Sequence, residues 1–164
     1  MGVNIFISRP TNIAEEFEKQ FTHFNKFLKR AGFNPVRLGA NKYTLDAPLR
    51  GVIELMKTCQ GAIILGYPQY ELNAHISKGG RIIPGIKGIK FTMPTPWNQI
   101  EATLAYKYEI PVFIIAHNGV TGGVFDHVVT GEYVLNLNLK KNEWYKDQEF
   151  QGVFSAWKNK ILYI

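Results

Sequence analysis

Cysteine occurs once in the 164 residues, as Cys59, so neither a disulfide framework nor a thiolate metal cluster can be built. No apolar run approaches the roughly 20 residues that a membrane-spanning helix needs. The Walker pattern and the dinucleotide fingerprint G-x-G-x-x-G are both missing, which excludes P-loop nucleotide hydrolases and standard dehydrogenases. Ser8 lacks the flanking glycines of a hydrolase nucleophile elbow. The histidines (His23, His75, His117 and His127) are too scattered to mark a metal site, and no bound metal or cofactor is expected. Met1-Gly2-Val3-Asn4-Ile5-Phe6 has neither the basic flank nor the long apolar stretch of a secretory leader. With a single cysteine, this makes the expected compartment cytoplasmic and no membrane partner is anticipated.

What remains is an ordinary globular composition, 46% hydrophobic and 20% charged, in a length that fits one domain over residues 1–164 with a real core. The net charge of +6 suits anionic partners. The basic residues are nevertheless spread over Lys26, Lys29 and Arg30, the segment Lys78 to Lys90, and Lys140 and Lys141. No Arg-rich arm, zinc finger or RRM signature accompanies them, so a nucleic-acid partner is not expected; a general preference for anionic ligands, nucleotides included, explains the balance as well, and the charge alone does not decide.

Strand-like and helix-like segments alternate. Val3–Ser8, Phe33–Leu38, Gly61–Gly66, Ile110–Ala116 and Glu132–Leu137 read as strands. Asn12–Ala31, Ala47–Cys59 (capped by Asp46), a helix opening at Pro96, and Asp147–Lys160 read as helices. Gly32 is placed to end the first helix as its C′ residue. This alternation predicts an α/β, flavodoxin-like, doubly wound domain: a five-stranded, mostly parallel sheet with helices on both faces. Ligands then bind beyond the C-terminal strand ends, where Ser8-Arg9-Pro10 and Gly66-Tyr67-Pro68 converge. The connection 67–94 is unusually long, carries Lys78, Arg81, Lys87 and Lys90, and reads as a functional lid or a disordered insert. Within it, Ile82-Ile83-Pro84 and Ile86–Phe91 are candidate hairpin arms. Phe150, Phe154 and Trp157 on the last helix either cover the sheet or offer a surface for a homo-oligomer.

One acid breaks the pattern. With Thr95 as N-cap and Pro96 at the first helical position, helical spacing aligns Trp97, Glu101, Leu104, Ala105 and Tyr108 on one stripe. A carboxylate there must be partnered, neutral, or at the edge of a cleft, unless a rotated register lets it reach solvent or a lysine. An acid in an aromatic-walled cleft suits cleavage of an N-glycosidic bond, where the anomeric carbon gains oxocarbenium character. Trp97, Tyr67 and Tyr106 can stack on a base or nicotinamide ring, while Arg9 with Lys78 or Arg81 can hold a phosphate.

These residues carry a resemblance. Ile5-Phe6-Ile7-Ser8 is similar to the first strand of TIR domains. Arg9-Pro10-Thr11-Asn12, followed by a long helix and Gly32-Phe33, resembles both TIR domains and nucleoside 2-deoxyribosyltransferases, which form one superfamily. Trp97-Asn98-Gln99-Ile100-Glu101-Ala102 resembles the TIR segment in which a tryptophan precedes the catalytic glutamate by a turn. Glu101 to Tyr106, followed by Ile110-Pro111-Val112, is similar to the transferase pattern of an acidic helix before a proline-valine strand. The likeness spans Val3 to Ile115. Ala102 and Thr103 replace the usual transferase leucine and glycine, an aspartate usual before the acidic helix is missing, and the 67–94 connection is longer than in either branch.

The resemblance implies that Glu101 is catalytic in both branches. Phe6, Ser8 and Arg9 would line the floor and Trp97 and Asn98 the helix entry, with Tyr67 and Arg81 as further substrate contacts. The first expected activity is TIR-like cleavage of NAD+ between nicotinamide and ribose, giving ADP-ribose or a cyclised or conjugated product, in the antiphage setting of stand-alone bacterial relatives. NAD+ is then substrate, not cofactor. The alternatives are a nucleoside N-glycosidase or deoxyribosyltransferase working through a covalent glycosyl-Glu101 intermediate, and a nucleotide-sensing module without turnover.

Overall fold

The computed structural model describes residues 2–39, 47–74 and 89–162. Strands β1 (Val3–Ser8), β2 (Phe33–Val36), β3 (Gly61–Gly66), β6 (Val112–His117) and β7 (Val134–Leu137) form one five-stranded sheet. Every neighbouring pair in it is parallel, in the order β2-β1-β3-β6-β7. The chain winds outward in both directions from the β1/β3 pair, so the switch in strand order lies between them. This is the flavodoxin-like, doubly wound fold that the alternation predicts.

Strand periodicity explains the two cores. Ile5, Ile7, Ile63, Leu65, Phe113 and Ile115 project to one face, and Phe6, Ala62, Ile64, Ile114 and Ala116 to the other; each central strand is therefore apolar on both sides. Helices α1 (Glu15–Arg30) and α5 (Gln148–Leu162) cover the first face. Phe17, Gln20, Phe24 and Leu28 are the buried stripe of α1, whose first turn is acidic and last turn basic, as the helix dipole favours. Gly32, with φ +93°, then reverses the chain. Helices α2 (Pro48–Met56) and α3 (Pro96–Lys107) cover the second face.

Phe150, Phe154 and Trp157 are buried in the first core, packed against Phe33 and Phe113. A Cβ at Gly61 would run into Trp157 and Ile161, so that glycine lets α5 settle close to the sheet. These aromatics cover the sheet and are not an exposed surface.

Several boundaries differ from expectation. Helix α1 starts at Glu15, not Asn12, and α2 starts at Pro48 behind Ala47; Asp46 lies outside the described residues. In the long connection, β4 (Tyr70–Ala74) pairs antiparallel with β5 (Ile89–Met93). The first hairpin arm thus precedes the expected Ile82-Ile83-Pro84, which lies outside the described residues. A short helix α4 (His127–Thr130) precedes β7. Among the described residues, no helix is long and apolar enough to cross a membrane.

Candidate active site

The site is assembled at the C-terminal end of β1 and β3 by the first turn of α3. Thr95 caps that helix: its Oγ1 accepts from the Asn98 backbone N–H at 3.4 Å and donates to Asn98 Oδ1 at 3.0 Å. Asn98 is 0% exposed. Its Nδ2 donates to Ser8 Oγ on β1 at 2.8 Å and to the Leu65 carbonyl on β3 at 3.5 Å. One amide therefore ties the start of α3 to both strands at the switch point. On the outer side, Gln99 fixes the following loop, donating from Nε2 to the Gly122 carbonyl at 3.0 Å and accepting from the Val124 N–H at 2.8 Å.

Glu101 follows Asn98 by three residues, so it stands on an adjacent flank of α3. The buried stripe is Asn98, Ala102 and Ala105; of the expected line Trp97, Glu101, Leu104, Ala105 and Tyr108 only Ala105 belongs to it, and the first turns are rotated by one residue. Small alanines let α3 approach the sheet, and a fully hydrogen-bonded amide is tolerated beneath it. Glu101 is thereby turned to the wall of a cleft instead of the core.

That cleft has a volume of about 340 Å³ and is walled by Arg9, Arg37, Val52, Gln69, Trp97 and Glu101. Burial pushes the Glu101 carboxyl up to about 7, opposed by a hydrogen bond from Ser8 and by the charge of Arg37. Because Ser8 Oγ accepts from Asn98, its own proton is available to Glu101, and the polar chain runs from amide to hydroxyl to carboxylate. Arg9 is held on the other side: its Nη atoms donate to Glu18 at 2.8 and 3.0 Å, and its guanidinium lies 4.2 Å from the Phe21 ring centroid.

The predicted site residues separate into groups. Glu101, Arg9 and Trp97 meet at the cleft, with Trp97 42% exposed at its mouth. Ser8 lies behind Glu101 as a fully buried supporting hydroxyl, and Asn98 anchors the helix from within. Phe6 belongs to the core under α2 and α3 and is not among the cleft-lining residues. Tyr67 is buried on the opposite face against Phe17, with ring centroids 5.2 Å apart. Its hydroxyl has no hydrogen-bond partner among the described residues, and burial raises its pKa. Arg81 and Lys78 lie outside the described residues, so the lid reading of 67–94 rests on the ribbon β4–β5 alone; that ribbon leaves the cleft just after Gln69 and returns just before Thr95.

Sequence reasoning missed Arg37 and Gln69. Arg37 directly follows the last residue of β2, and the same strand-end rule that singles out Ser8-Arg9-Pro10 applies to it. Cys59 is a buried core thiol whose Sγ donates to the Leu55 carbonyl at 3.4 Å and whose pKa burial raises to about 11. That pKa disfavours a nucleophile.

No protein-family model, no curated protein and no solved structure matches this chain.

Proposed function

We propose that this protein is a TIR-like enzyme of the TIR/deoxyribosyltransferase superfamily that cleaves the N-glycosidic bond of NAD+, with Glu101 as the catalytic carboxylate. The observation that carries the reading is a carboxylate walled into a strand-end cleft where burial makes its ionisation costly, with a pKa pushed up to about 7. Such a group is best matched by a ligand that brings positive charge to it. The nicotinamide ring of NAD+ is cationic in the ground state. As its bond to ribose stretches, the charge moves to the anomeric carbon and the ring leaves neutral.

An ionised Glu101 beside that carbon stabilises the developing oxocarbenium ion more strongly in a desolvated cleft than it would in water. Ser8 holds one carboxylate oxygen through its hydroxyl proton and thereby fixes the direction of attack or stabilisation. Trp97, at the mouth, offers a face for the departing ring. Water or a hydroxyl of the same substrate then completes the product as ADP-ribose or a cyclised form.

A nucleoside-directed glycosidase or deoxyribosyltransferase is the second reading. It is favoured by the cleft volume of about 340 Å³, at the small end of ligand sites. In it, Glu101 attacks the anomeric carbon as the C1′–N bond breaks and the base departs with a proton from solvent. The resulting glycosyl ester is opened by water or by a second base.

The test is incubation of wild-type and Glu101→Gln protein with NAD+, read by chromatography and mass spectrometry. Nicotinamide release by the wild type, reduced at least about a hundredfold in the variant, is expected. Full turnover by Glu101→Gln would sink the mechanism. Base exchange between a deoxynucleoside and a free base, with a glycosyl mass increment on Glu101, would replace the first reading by the second.

A further inference from the structure

The proposed reaction leaves one wall of the Glu101 cleft without a role. Gln69, directly before β4, lines the cleft together with Trp97 and Glu101. Its backbone is pinned, because the Gln69 N–H donates to the Met93 carbonyl at 3.0 Å across the foot of the β4–β5 ribbon. Met93 ends β5 and is followed by Pro94 and Thr95, the cap of α3. Gln69 therefore stands beside the chain that delivers Trp97 and Glu101, and backbone pairing sets its place.

The polar groups of the cleft differ in the bonding capacity they have left. Thr95 Oγ1 accepts from the Asn98 N–H and donates to Asn98 Oδ1. Both Nη atoms of Arg9 donate to Glu18. Thr11 and Asn12 are exposed, so water competes for any bond they make. Gln69 is half-buried. Its Nε2 donates to the Pro68 carbonyl at 3.0 Å; since a carbonyl oxygen can only accept, this contact also fixes which end of the amide is the nitrogen. The other end, Oε1, has no hydrogen-bond partner among the described residues. With the nitrogen tethered, the side chain offers a ligand an acceptor and no competing donor.

A stacking face and an amide oxygen read a ring in different ways. Trp97, exposed at the mouth, supplies contact area that is nearly indifferent to what the ring carries. A half-buried acceptor discriminates: it favours a ring that brings an N–H, and is left unmatched by one that does not. We propose that Gln69 Oε1 selects the departing ring by accepting from an N–H on its edge, either the carboxamide of nicotinamide or the exocyclic amine of a nucleobase. This rests on reading the Glu101 cleft as the site of glycosidic cleavage. Gln69 is then a specificity-determining residue, contributed by the ribbon and not by the sheet.

The experiment is calorimetric titration of the full chain carrying Glu101→Gln, which removes turnover, with two matched pairs of ligands. NAD+ is compared with its acetylpyridine analogue, in which a methyl ketone replaces the carboxamide, and adenosine with purine riboside, which lacks the exocyclic amine. In at least one pair the ligand bearing the N–H is expected to bind roughly tenfold tighter. A preference within the NAD+ pair identifies nicotinamide as the selected ring, and one within the adenosine pair a nucleobase. Adding Gln69→Ala should erase the preference. Gln69→Glu keeps an acceptor oxygen but loses the tether to Pro68, and should retain it; circular dichroism verifies that each variant is folded. Equal affinities within both pairs, a preference that persists in folded Gln69→Ala or disappears in folded Gln69→Glu, or no binding of any ligand would overturn the assignment. Because the readout is binding, it stands apart from turnover. A Gln69-dependent preference without nicotinamide release would reject the reaction and keep the selecting residue, and release without such a preference would do the reverse.

Discussion

At the scale of single residues, Glu101 is a stability cost accepted at a candidate reaction centre. Its folded pKa of about 7 lies above the ordinary 4.5. Below the ordinary value both folded and unfolded chains hold the proton and the group costs nothing. Between the two values the unfolded chain ionises first, so native stability falls as pH rises, and above about 7 the full cost is present. The gap corresponds to roughly 3 kcal/mol at most. Gln carries no such cost, so Glu101→Gln protein should melt several degrees above wild type near pH 8, with the gap closing as pH falls toward about 4. Calorimetric melting across that range measures it, and a gap independent of pH would show that Glu101 ionises freely in the folded protein.

The acid itself was legible from its place in a helical pattern; its partners were not. Arg37 sits some 64 positions upstream in the numbering, and only the pairing of β1 with β2 brings it beside the cleft. The resemblance puts Phe6 on the floor of the site, and Tyr67 is singled out by its ring and its place just after β3. Strand alternation sends Phe6 into the core instead, and Tyr67 turns to the opposite face, a direction that sequence spacing alone does not fix past the end of a strand.

At the scale of elements, helix α3 decides whether a site exists. Its start was readable, because Thr95-Pro96 is a cap followed by a residue already set for a helix. Its rotation was not. Hydrophobic spacing assumes that the inward face is apolar, whereas here the inward residue of the first turn is Asn98, satisfied by Ser8 and Leu65. A buried amide with partners on two other strands leaves no trace in local periodicity. Removing it should uncouple helix from sheet: Asn98→Ala leaves the Leu65 carbonyl without this donor and frees the Ser8 hydroxyl. A loss of about 2–3 kcal/mol is expected, read as a lower urea midpoint with unchanged slope. A change below about 0.5 kcal/mol would mean that α3 is held in place by its alanines alone.

At the scale of the whole molecule, the sheet was the most legible feature. Continuous apolar strands such as Ile63-Ile64-Leu65 and Phe113-Ile114-Ile115 can be satisfied only by helices on both faces, and right-handed crossovers leave few orders open. The fold was less predictable where segments do not follow the two standard periods: the ribbon β4–β5, the one-turn α4, and the choice between a covering and an associating role for α5. Aromatic packing of Phe150, Phe154 and Trp157 onto the sheet decides the last of these. The architecture concentrates polar chemistry at one end, where the Ser8, Arg9, Arg37 and Glu101 side chains come from three separate elements.

The proposed reaction requires Glu101 to act as an ionised carboxylate with a raised pKa on a glycosidic bond held in this cleft. Its most direct test is kcat/KM for nicotinamide release from NAD+ as a function of pH, since that parameter reports the free enzyme's titrating groups. The rate should climb about tenfold per pH unit on the acid side and level off near the Glu101 value of about 7. An acid limb in the usual carboxylate range near 4.5, or no nicotinamide release at any pH, would contradict the account.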